Sequence, residues 1–407
     1  MATINVVTSH YTPEITAAAH RMDAFVDALA VNHTVHVYTL TEIGKPAAEK
    51  VVRESARVTV HYMNLPKYKK SSLFFRTFYE IWYSLKLARL ASKNECDVTL
   101  VTSPFMFLIP FVILSGGSSF KVADVRDLTW RYVPDRFIVH KAFRYIFTRM
   151  IEFFLPKYDH ITVTNASEKR WISENAHVPA EQITILSNGI SKDKFDTLVN
   201  IEYKPEVTPF TITYVGNIGN GQNLQSLIRV VEKLKEVQLV LIGNGNDYET
   251  FKKQVRKKRI SNIYFTGKLS WEKVLPYYKH SSVLFARLDD NYRSAIPSKL
   301  FEYLSTGLPV IYCGEGEAAH LLKQFNQTIV LKSNDDVGLK RAIKKLKAMG
   351  SELDYENREH IQRKYIRELI NMKIDDVIAG VMGIEIPERT LVPVSMQESK
   401  IAILATN

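Results

Sequence analysis

Residues 293–311 read RSAIPSKLFEYLSTGLPVI and hold a short amphipathic segment between two helix-breaking residues. Pro297 and Gly307 predict one helix over Ser298–Thr306, because proline suits a helix start and glycine the position just past its end. The apolar run LPVI that follows is typical of a buried strand. Such a helix presents its free N-terminal amides at the edge of the sheet, where they attract an anion. Glu302 is the one carboxylate of this helix, and its place between helix and sheet suggests a function.

Apolar, β-branched runs alternate with helix-period segments along both halves of the chain. Strands are predicted at Ile4–Thr8, Thr34–Leu40, Arg57–Met63, Asp97–Thr102, Lys121–Val125 and His160–Thr164, and again at Phe210–Gly216, Val237–Gly243, Asn262–Gly267, Ser282–Arg287, Leu308–Cys313 and Thr328–Lys332. Strands that alternate with helices form a parallel sheet covered on both faces. A last helical stretch is predicted at Tyr355–Val381. The fold class is therefore α/β, with two Rossmann-like domains.

The stretch Thr197–Pro209, with two prolines and no helical stripe, separates the two halves. We therefore predict an N-terminal domain over residues 1–200 and a C-terminal domain over 201–383, while the tail at 384–407 has no clear period. Ligands of such domains bind in the cleft at the C-terminal ends of the strands.

The composition is that of an ordinary globular protein of 407 residues, long enough for two cores. The two cysteines, Cys96 and Cys313, suggest neither a disulfide framework nor a cysteine metal site. The start MATINVVTSH does not resemble a signal peptide, and the longest apolar run, Phe105–Leu114, is shorter than the ~20 residues of a spanning helix. We expect a cytoplasmic or peripheral protein. Its net charge of +11 attracts nucleic acid, anionic lipid or phosphorylated small molecules without distinguishing among them, but no nucleic-acid-binding module is recognised.

Three further motifs are candidates for a binding site. The turn GNIGNG at Gly216–Gly221 has free amides that can cradle an anion, although a plain strand-to-helix turn explains it equally well. The motif VADVRDL places Arg126 and Asp127 after a buried strand, facing the cleft. Asp127 is then a candidate for the residue nearest an attacking hydroxyl, or a helix N-cap. His20, in the first helix, is either a binding residue or a structural histidine.

Taken together, these motifs resemble those of the retaining GT-B glycosyltransferases of family 4. The resemblance extends to SHYTPEITAAAHRMDAFVDAL, PAEQITILSNGISKDKF, LVLIGNG and IYFTGKLSWEKVLPYYKHSSV, in the expected order along nearly the whole chain to about residue 380. It is greatest for the bacterial subset that adds amino sugars to lipid-linked O-antigen or capsule precursors. The implied fold is GT-B, in which the two domains face each other across the cleft.

The resemblance also implies how a nucleotide diphosphate is held. The family carries an arginine and, five residues on, a lysine in the glycine loop, where this sequence has Asn217 and Gln222. A leaving diphosphate gains charge in the transition state and needs a fixed cation or oriented amides. We expect Arg287, Arg293 or Lys299 to replace the missing pair, with Lys299 as the first choice.

The family's two glutamates, separated by seven residues, correspond to Ser294 and Glu302. The resemblance implies that Glu302 binds the donor's ribose hydroxyls, since a carboxylate accepts from both members of a diol; a solvated helix residue or a cap is the alternative. The implied donor-binding set is Gly216, Asn217, Gly219, Gln222, Lys268, Arg287, Arg293, Ser294, Ser298, Lys299 and Glu302. The implied acceptor-binding set is His20, Arg126 and Asp127, and Asp127, Lys299 and Glu302 are expected to be catalytic.

The predicted function is a retaining, metal-independent hexosyltransferase without a cofactor. It would transfer a sugar, an N-acetylated hexosamine in our interpretation, from a UDP-linked donor to a lipid-diphosphate-linked acceptor in O-antigen or capsule synthesis. Two alternatives stay open. A nucleotide-sugar 2-epimerase would need a cluster of carboxylates and histidines in the cleft, and a non-catalytic subunit of a polysaccharide assembly complex would explain the absence of the first glutamate.

Two segments mix basic and aromatic residues. Lys67–Leu90 carries six cations, Lys67, Lys69, Lys70, Arg76, Lys86 and Arg89, beside Phe74, Phe75, Phe78, Trp82 and Tyr83. This mixture favours contact with an anionic membrane at the inner face of the cytoplasmic membrane, although a buried helix with a wet basic face is the alternative. The second segment, Arg136–Phe154, has apolar residues at helical spacing, including Phe143, Ile146 and Phe147, and is interpreted as core.

Overall fold

The computed structural model describes residues 1–14, 16–42, 51–53, 55–65, 73–103, 105–126, 128–132, 138–203, 209–219, 221–350 and 352–384. These residues form two sheets of parallel strands, each covered by helices on both faces. The predicted α/β class is confirmed.

The first sheet has eight strands in the order β3-β4-β2-β1-β5-β6-β7-β8, and only the edge strand β3 is antiparallel to its neighbour. Its strands are β1 (Thr3–Val7), β2 (Thr34–Glu42), β3 (Val51–Arg53), β4 (Val58–Leu65), β5 (Val98–Thr102), β6 (Phe120–Val125), β7 (His160–Val163) and β8 (Ile183–Ile185). The connecting helices are α1 (Ala17–Ala30), α2 (Leu73–Ala91), α3 (Leu108–Leu114), α4 (Ile138–Phe154) and α5 (Ala166–Asn175).

The second sheet has six strands in the order β11-β10-β9-β12-β13-β14. Its strands are β9 (Phe210–Val215), β10 (Val237–Ile242), β11 (Ile263–Gly267), β12 (Val283–Arg287), β13 (Val310–Cys313) and β14 (Thr328–Leu331). The helices of this half are α6 (Lys192–Val199), α7 (Gln225–Val231), α8 (Tyr248–Lys257), α9 (Trp271–Lys279), α10 (Lys299–Thr306), α11 (Glu317–Leu322), α12 (Asp336–Met349), α13 (Tyr355–Lys364) and α14 (Arg367–Val381).

All twelve predicted strands form, within two residues of their predicted ends. The short strands β3 and β8 were not predicted. The helix predicted over Ser298–Thr306 is α10, with Ser298 at its N-cap and Gly307 in the left-handed conformation (φ 73°) just past its end. Among the described helices, none combines the length and apolar character needed to cross a membrane.

Packing departs from the predicted boundary at 200/201 in two places. Helix α6 packs on α10, and its Phe195 and Leu198 lie in a core of the second domain. Helix α14 packs on α1, and Ile370 and Ile374 lie in a core of the first domain. The single helix predicted at Tyr355–Val381 is in fact two, α13 and α14, and the chain returns to the first domain between them.

Candidate active site

A cavity of about 370 Å³ lies between the two domains, at the C-terminal ends of the strands. The residues that line it come from both domains: Thr16, His20, Arg21, Arg126, Ser187, Asn188, Gly189, Ile190, Lys194, Ile296, Ser298, Glu302, Arg367 and Asn371. Two larger cavities of about 740 Å³ each lie elsewhere. One is at the opposite end of the first sheet, around Cys96, and the other is beside α9, around Tyr277.

Glu302 lies in the wall of this cavity, in the first turn of α10. The Lys194 ammonium is 3.3 Å from one of its carboxylate oxygens, and the Tyr278 hydroxyl donates to the other at 3.4 Å. The Glu302 side chain is 21% exposed. The carboxylate is thus held from one side by a cation and a phenol, and its remaining acceptor capacity is available to a ligand.

Lys299 begins the same helix, but its ammonium nitrogen turns away from the cavity and is buried. Among the described residues it has no hydrogen-bond partner, and it lies 4.0 Å from the ring centroid of Tyr214. A side-chain carbon at Gly216 would be 2.5 Å from this nitrogen, so the ammonium packs directly against the glycine loop. Burial lowers the pKa of Lys299 to about 7, although Glu302 opposes the shift.

Two positive-φ glycines shape this region: Gly216, which begins the glycine loop, and Gly245, which packs against that loop from the turn after β10. Gly216 has φ 139° and Gly245 has φ 158°, and a side-chain carbon at Gly245 would be 2.3 Å from the Ile218 carbonyl oxygen. In this loop, the Asn217 amide donates to the side chain of Gln222 at 2.9 Å. The two positions at which the resemblance implies an arginine and a lysine are therefore occupied here by two neutral side chains that bond to each other.

Of the other predicted donor residues of the second domain, Ser298 lines the cavity, whereas Lys268, Arg287, Arg293 and Ser294 are not among its lining residues. Arg287 is 2% exposed and donates to the Asn334 side chain at 3.1 Å. Arg293 is exposed and pairs with Glu315 at 2.8 Å. Both arginines thus have partners inside the second domain, and their binding of a diphosphate stays a prediction. Lys268 is exposed after β11, and Ser294 is buried.

Ser294 joins the two domains. Its carbonyl oxygen accepts a hydrogen bond from the Asn165 side chain at 2.8 Å, and the Asn165 oxygen caps α5 by accepting from the Glu168 amide at 3.0 Å. The position of the family's first glutamate is thus part of a domain contact.

In the first domain, Arg126 and His20 line the cavity as predicted, while Asp127 lies outside the described residues. Burial lowers the pKa of His20, and the charges of Arg367 and Lys194 lower it further. Arg21, Arg126, Lys194 and Arg367 line the same cavity, so its wall is rich in cations. Among the described residues, no group of three or more His, Cys, Asp or Glu side chains is arranged to hold a metal ion.

Three cations of the cavity were not predicted. Arg21 donates to the buried carboxylate of Asp124 at 2.8 and 3.2 Å. Burial raises the pKa of Asp124, but the ion pair with Arg21 outweighs burial and the pKa is lowered overall. Arg367, at the start of α14, donates to the Gly189 carbonyl at 3.2 Å. The third is Lys194 of α6. An aspartate within VADV, the buried end of strand β6, was a signal for a buried cation partner such as Arg21.

Comparison with known proteins agrees with this architecture. Residues 18–194 match the family model described as Glycosyltransferase Family 4, and residues 200–367 match the model described as Glycosyl transferases group 1. Anabaena HepE, solved in complex with UDP and glucose, has the same fold, with a TM-score of 0.61 at 10% identity over 93% of this chain and 100% of HepE. The fold is that of the GT-B glycosyltransferases.

Two sequence relatives are also named glycosyltransferases. An uncharacterized glycosyltransferase of Methanocaldococcus jannaschii is 21% identical over 354 residues, which are 83% of this chain and 87% of that protein. The O-antigen biosynthesis glycosyltransferase WbnH of Escherichia coli is 24% identical over 178 residues, 44% of this chain and 48% of WbnH. Together with the fold and the interdomain cavity, these matches support a glycosyltransferase of the GT-B type.

Proposed function

We propose that this chain is a retaining, metal-independent glycosyltransferase that moves an N-acetylated hexosamine from a UDP-linked donor to a lipid-diphosphate-linked acceptor in O-antigen or capsule synthesis. The observation that supports it best is the cationic interdomain cavity, whose wall holds Glu302 one helical turn from Lys299. The WbnH name, for an O-antigen enzyme, and the UDP bound to HepE support the substrate class.

The donor half of the proposal depends on α10 and the glycine loop. The Glu302 carboxylate would accept from the ribose hydroxyls, while the diphosphate would lie at the first turn of α10 and the Gly216 loop. The Lys299 ammonium behind that loop would oppose the negative charge that develops on the leaving group. A desolvated cation interacts with such charge far more strongly than a solvated one.

The acceptor half depends on two arginines and a histidine on the first-domain side of the cavity. Arg126, His20 and Arg367 line the cavity, and a phosphate-bearing acceptor is the chemistry that such groups bind. Asp127 remains the proposed residue nearest the attacking hydroxyl, although it lies outside the described residues.

The proposed reaction proceeds on one face of the sugar. The bond between the anomeric carbon and the diphosphate oxygen breaks, and a new bond to the acceptor oxygen forms on the same face. The proton of the acceptor hydroxyl passes to the departing diphosphate, so the products are the glycoside and UDP. Retention follows because the leaving group itself guides the front-face attack.

Turnover on a panel of nucleotide sugars tests this proposal. UDP release that requires a lipid-diphosphate-linked acceptor, survives a chelator and yields the donor's anomeric configuration is the expected result. Sugar conversion without acceptor would instead support the 2-epimerase, and donor binding without turnover would support a non-catalytic subunit. Among the described residues that line the cavity, Glu302 is the one carboxylate and His20 the one histidine, so the cluster expected of an epimerase is not seen there.

The predicted membrane contact through residues 67–90 is part of the proposal. Lys67, Lys69 and Lys70 lie outside the described residues. Replacing these three lysines should release the protein from anionic vesicles, because each cation near such a surface contributes about 1 kcal/mol. Turnover on a short soluble acceptor should stay unchanged.

A further inference from the structure

Helix α4 exposes a row of apolar and aromatic side chains on its outward face. Ile138 is 86% exposed, Tyr145 63%, Ile146 62% and Phe153 62%. Ile138 and Tyr145 are seven residues apart, as are Ile146 and Phe153, and this spacing places all four along one side of the helix. The sequence pattern assigned the apolar residues of this segment, Ile146 among them, to the core. Of those that the structure describes, Phe147 is deeply buried, at 6% exposure, whereas Ile146 is exposed.

Helix α2 has a second row of the same kind. Phe78 is 57% exposed, Trp82 49% and Ile81 37%. Helix α3 packs against both α2 and α4, so the three helices form one layer on the first sheet. Leu114, the last residue of α3, is 66% exposed. An exposed apolar surface spread over three adjacent helices indicates an interaction site.

Cations accompany the exposed aromatic rings. The Lys157 ammonium is 4.5 Å from the ring centroid of Phe153, and the Lys86 ammonium is 5.2 Å from that of Trp82. The Arg149 guanidinium is 5.5 Å from that of Tyr145.

Acidic side chains are nearly absent from the surface of this layer. The sequences of α2, α3 and α4 contain two, Glu80 and Glu152. Glu80 is 9% exposed, and the Glu152 side chain is 18% exposed and pairs with Arg149 at 3.0 Å. The surface is therefore both apolar and positive.

The contact proposed above for residues 67–90 already includes most of α2; we propose that, next to it, the outward face of α4 docks on an anionic lipid bilayer. Tyr145, Ile146 and Phe153 enter the headgroup layer, and Lys141, Arg149 and Lys157 bind lipid phosphates. Aromatic side chains with basic neighbours have the chemistry of an interfacial contact. A folded protein partner is less well matched, because the cations of this surface outnumber its exposed acidic side chains.

The position of the layer suits the proposed function. The membrane contact itself does not rest on that function; its use to bring the enzyme to a lipid-linked acceptor does. Helices α2 and α4 follow β4 and β6, strands of the sheet whose C-terminal ends face the interdomain cavity. Docking would hold that side of the first domain near the membrane, where a lipid-linked acceptor resides. Binding to vesicles requires neither donor nor turnover, so it is tested separately from the transferase activity.

Co-sedimentation of the full chain with vesicles of phosphatidylglycerol and phosphatidylcholine is the test. Replacing Tyr145, Ile146 and Phe153 by serine should lower the partition coefficient by about tenfold or more, since each buried apolar side chain adds to interfacial affinity. A matched control replaces three exposed side chains of the second domain, Tyr264, Val337 and Met349, by serine and should bind like the wild type. Thermal unfolding checks that both triple variants are folded.

A second variant, with Lys141, Arg149 and Lys157 replaced by glutamine, should lose binding to anionic vesicles and show a weaker dependence on salt. Wild-type protein that binds neither anionic nor neutral vesicles would overturn the inference. So would a serine variant of α4 that binds as well as the control. Loss of binding only in the variant that lacks Lys67, Lys69 and Lys70 would leave the contact at residues 67–90 and overturn the one at α4.

Discussion

Replacing Lys299 by methionine should lower activity and raise stability at the same time. The ammonium is buried, lacks a hydrogen-bond partner among the described residues and packs against Gly216. A buried, unpaired cation destabilises the fold but opposes the charge of a leaving diphosphate. Methionine is close to lysine in side-chain length and can keep the packing on Tyr214, but it removes the charge.

The magnitudes follow from the shifted pKa. Burial lowers the pKa of Lys299 to about 7, against an ordinary value of about 10.4, and each unit corresponds to ~1.4 kcal/mol. The penalty is thus on the order of a few kcal/mol, partly offset by the Tyr214 ring. Since the folded pKa is the lower one, the full penalty applies below about pH 7 and shrinks as the pH rises toward 10. The variant should therefore be more stable than the wild type, and most clearly so near neutral pH.

Activity should change in the opposite direction. Loss of one preorganised stabiliser of developing charge lowers the rate by ~100-fold or more. In the wild type, kcat/KM should fall above pH 7, because only about a tenth of the free enzyme keeps the Lys299 proton at pH 8. The variant should lack this alkaline decline.

UDP release between pH 6 and 9, together with urea unfolding at pH 7 and 9, measures both effects. Gln222→Ala is the matched control, because it changes the same loop but removes no charge, and it should affect turnover less. A Lys299→Met protein with wild-type turnover and an unchanged pH profile would refute the catalytic role. If it were also no more stable, the ammonium would not be desolvated as the structure describes.

Three further outcomes test other parts of the structure. Glu302→Ala should weaken donor binding by one to two decades, since hydrogen bonds to a charged partner contribute ~1.5–3 kcal/mol, and unchanged affinity in a donor titration would end the ribose assignment. Asn165→Asp keeps the α5 cap but places a carboxylate against the Ser294 carbonyl, and the repulsion between these oxygens should weaken the domain contact. Small-angle scattering should then detect a more open arrangement of the domains, and an unchanged scattering curve would contradict this. Burial lowers the pKa of His36 and of His61, so the free energy of unfolding should fall as the pH drops below about 6.5. Replacing both histidines by phenylalanine should reduce that loss, as measured by urea titrations at pH 7.5 and 5.5. Equal acid sensitivity of the variant and the wild type would argue against this.

The strands and α10 were predictable because their signals are local. Runs of β-branched residues mark the strands, and Pro297 and Gly307 mark the ends of the helix. The strands β3 and β8, which were not predicted, also contain β-branched residues, but each has three residues and is too short to form a recognisable run. The break before α14 also could not be foreseen, because Tyr365 and Ile366 carry neither proline nor glycine and the turn is stabilised by pairing between Ile190 and Ile366, far apart in the sequence.

The site was only partly predictable, because orientation depends on tertiary contacts. Arg287 ends a strand buried on both faces, so alternation along the strand cannot tell which side chain turns toward the cleft. It turns toward Asn334 instead. Arg367 reaches the cavity because the chain returns to the first domain, and its partner Gly189 lies 178 residues away.

Under the proposed function, the positive charge at the diphosphate would come from α10 and not from the glycine loop. Asn217 and Gln222 bond to each other, so the loop itself supplies amides but no cation. The nearest cation comes from α10, and it reaches the loop only because Gly216 has no side chain. A substitution at Gly216 would therefore have to be matched by one at Lys299, whereas Asn217 is exposed, Gln222 is half-buried, and the two side chains bond to each other. Under the proposed function, the buried Lys299 would supply from behind the loop the positive charge that the loop itself does not carry. Because this charge is less accessible to water, it would act more strongly on a bound diphosphate.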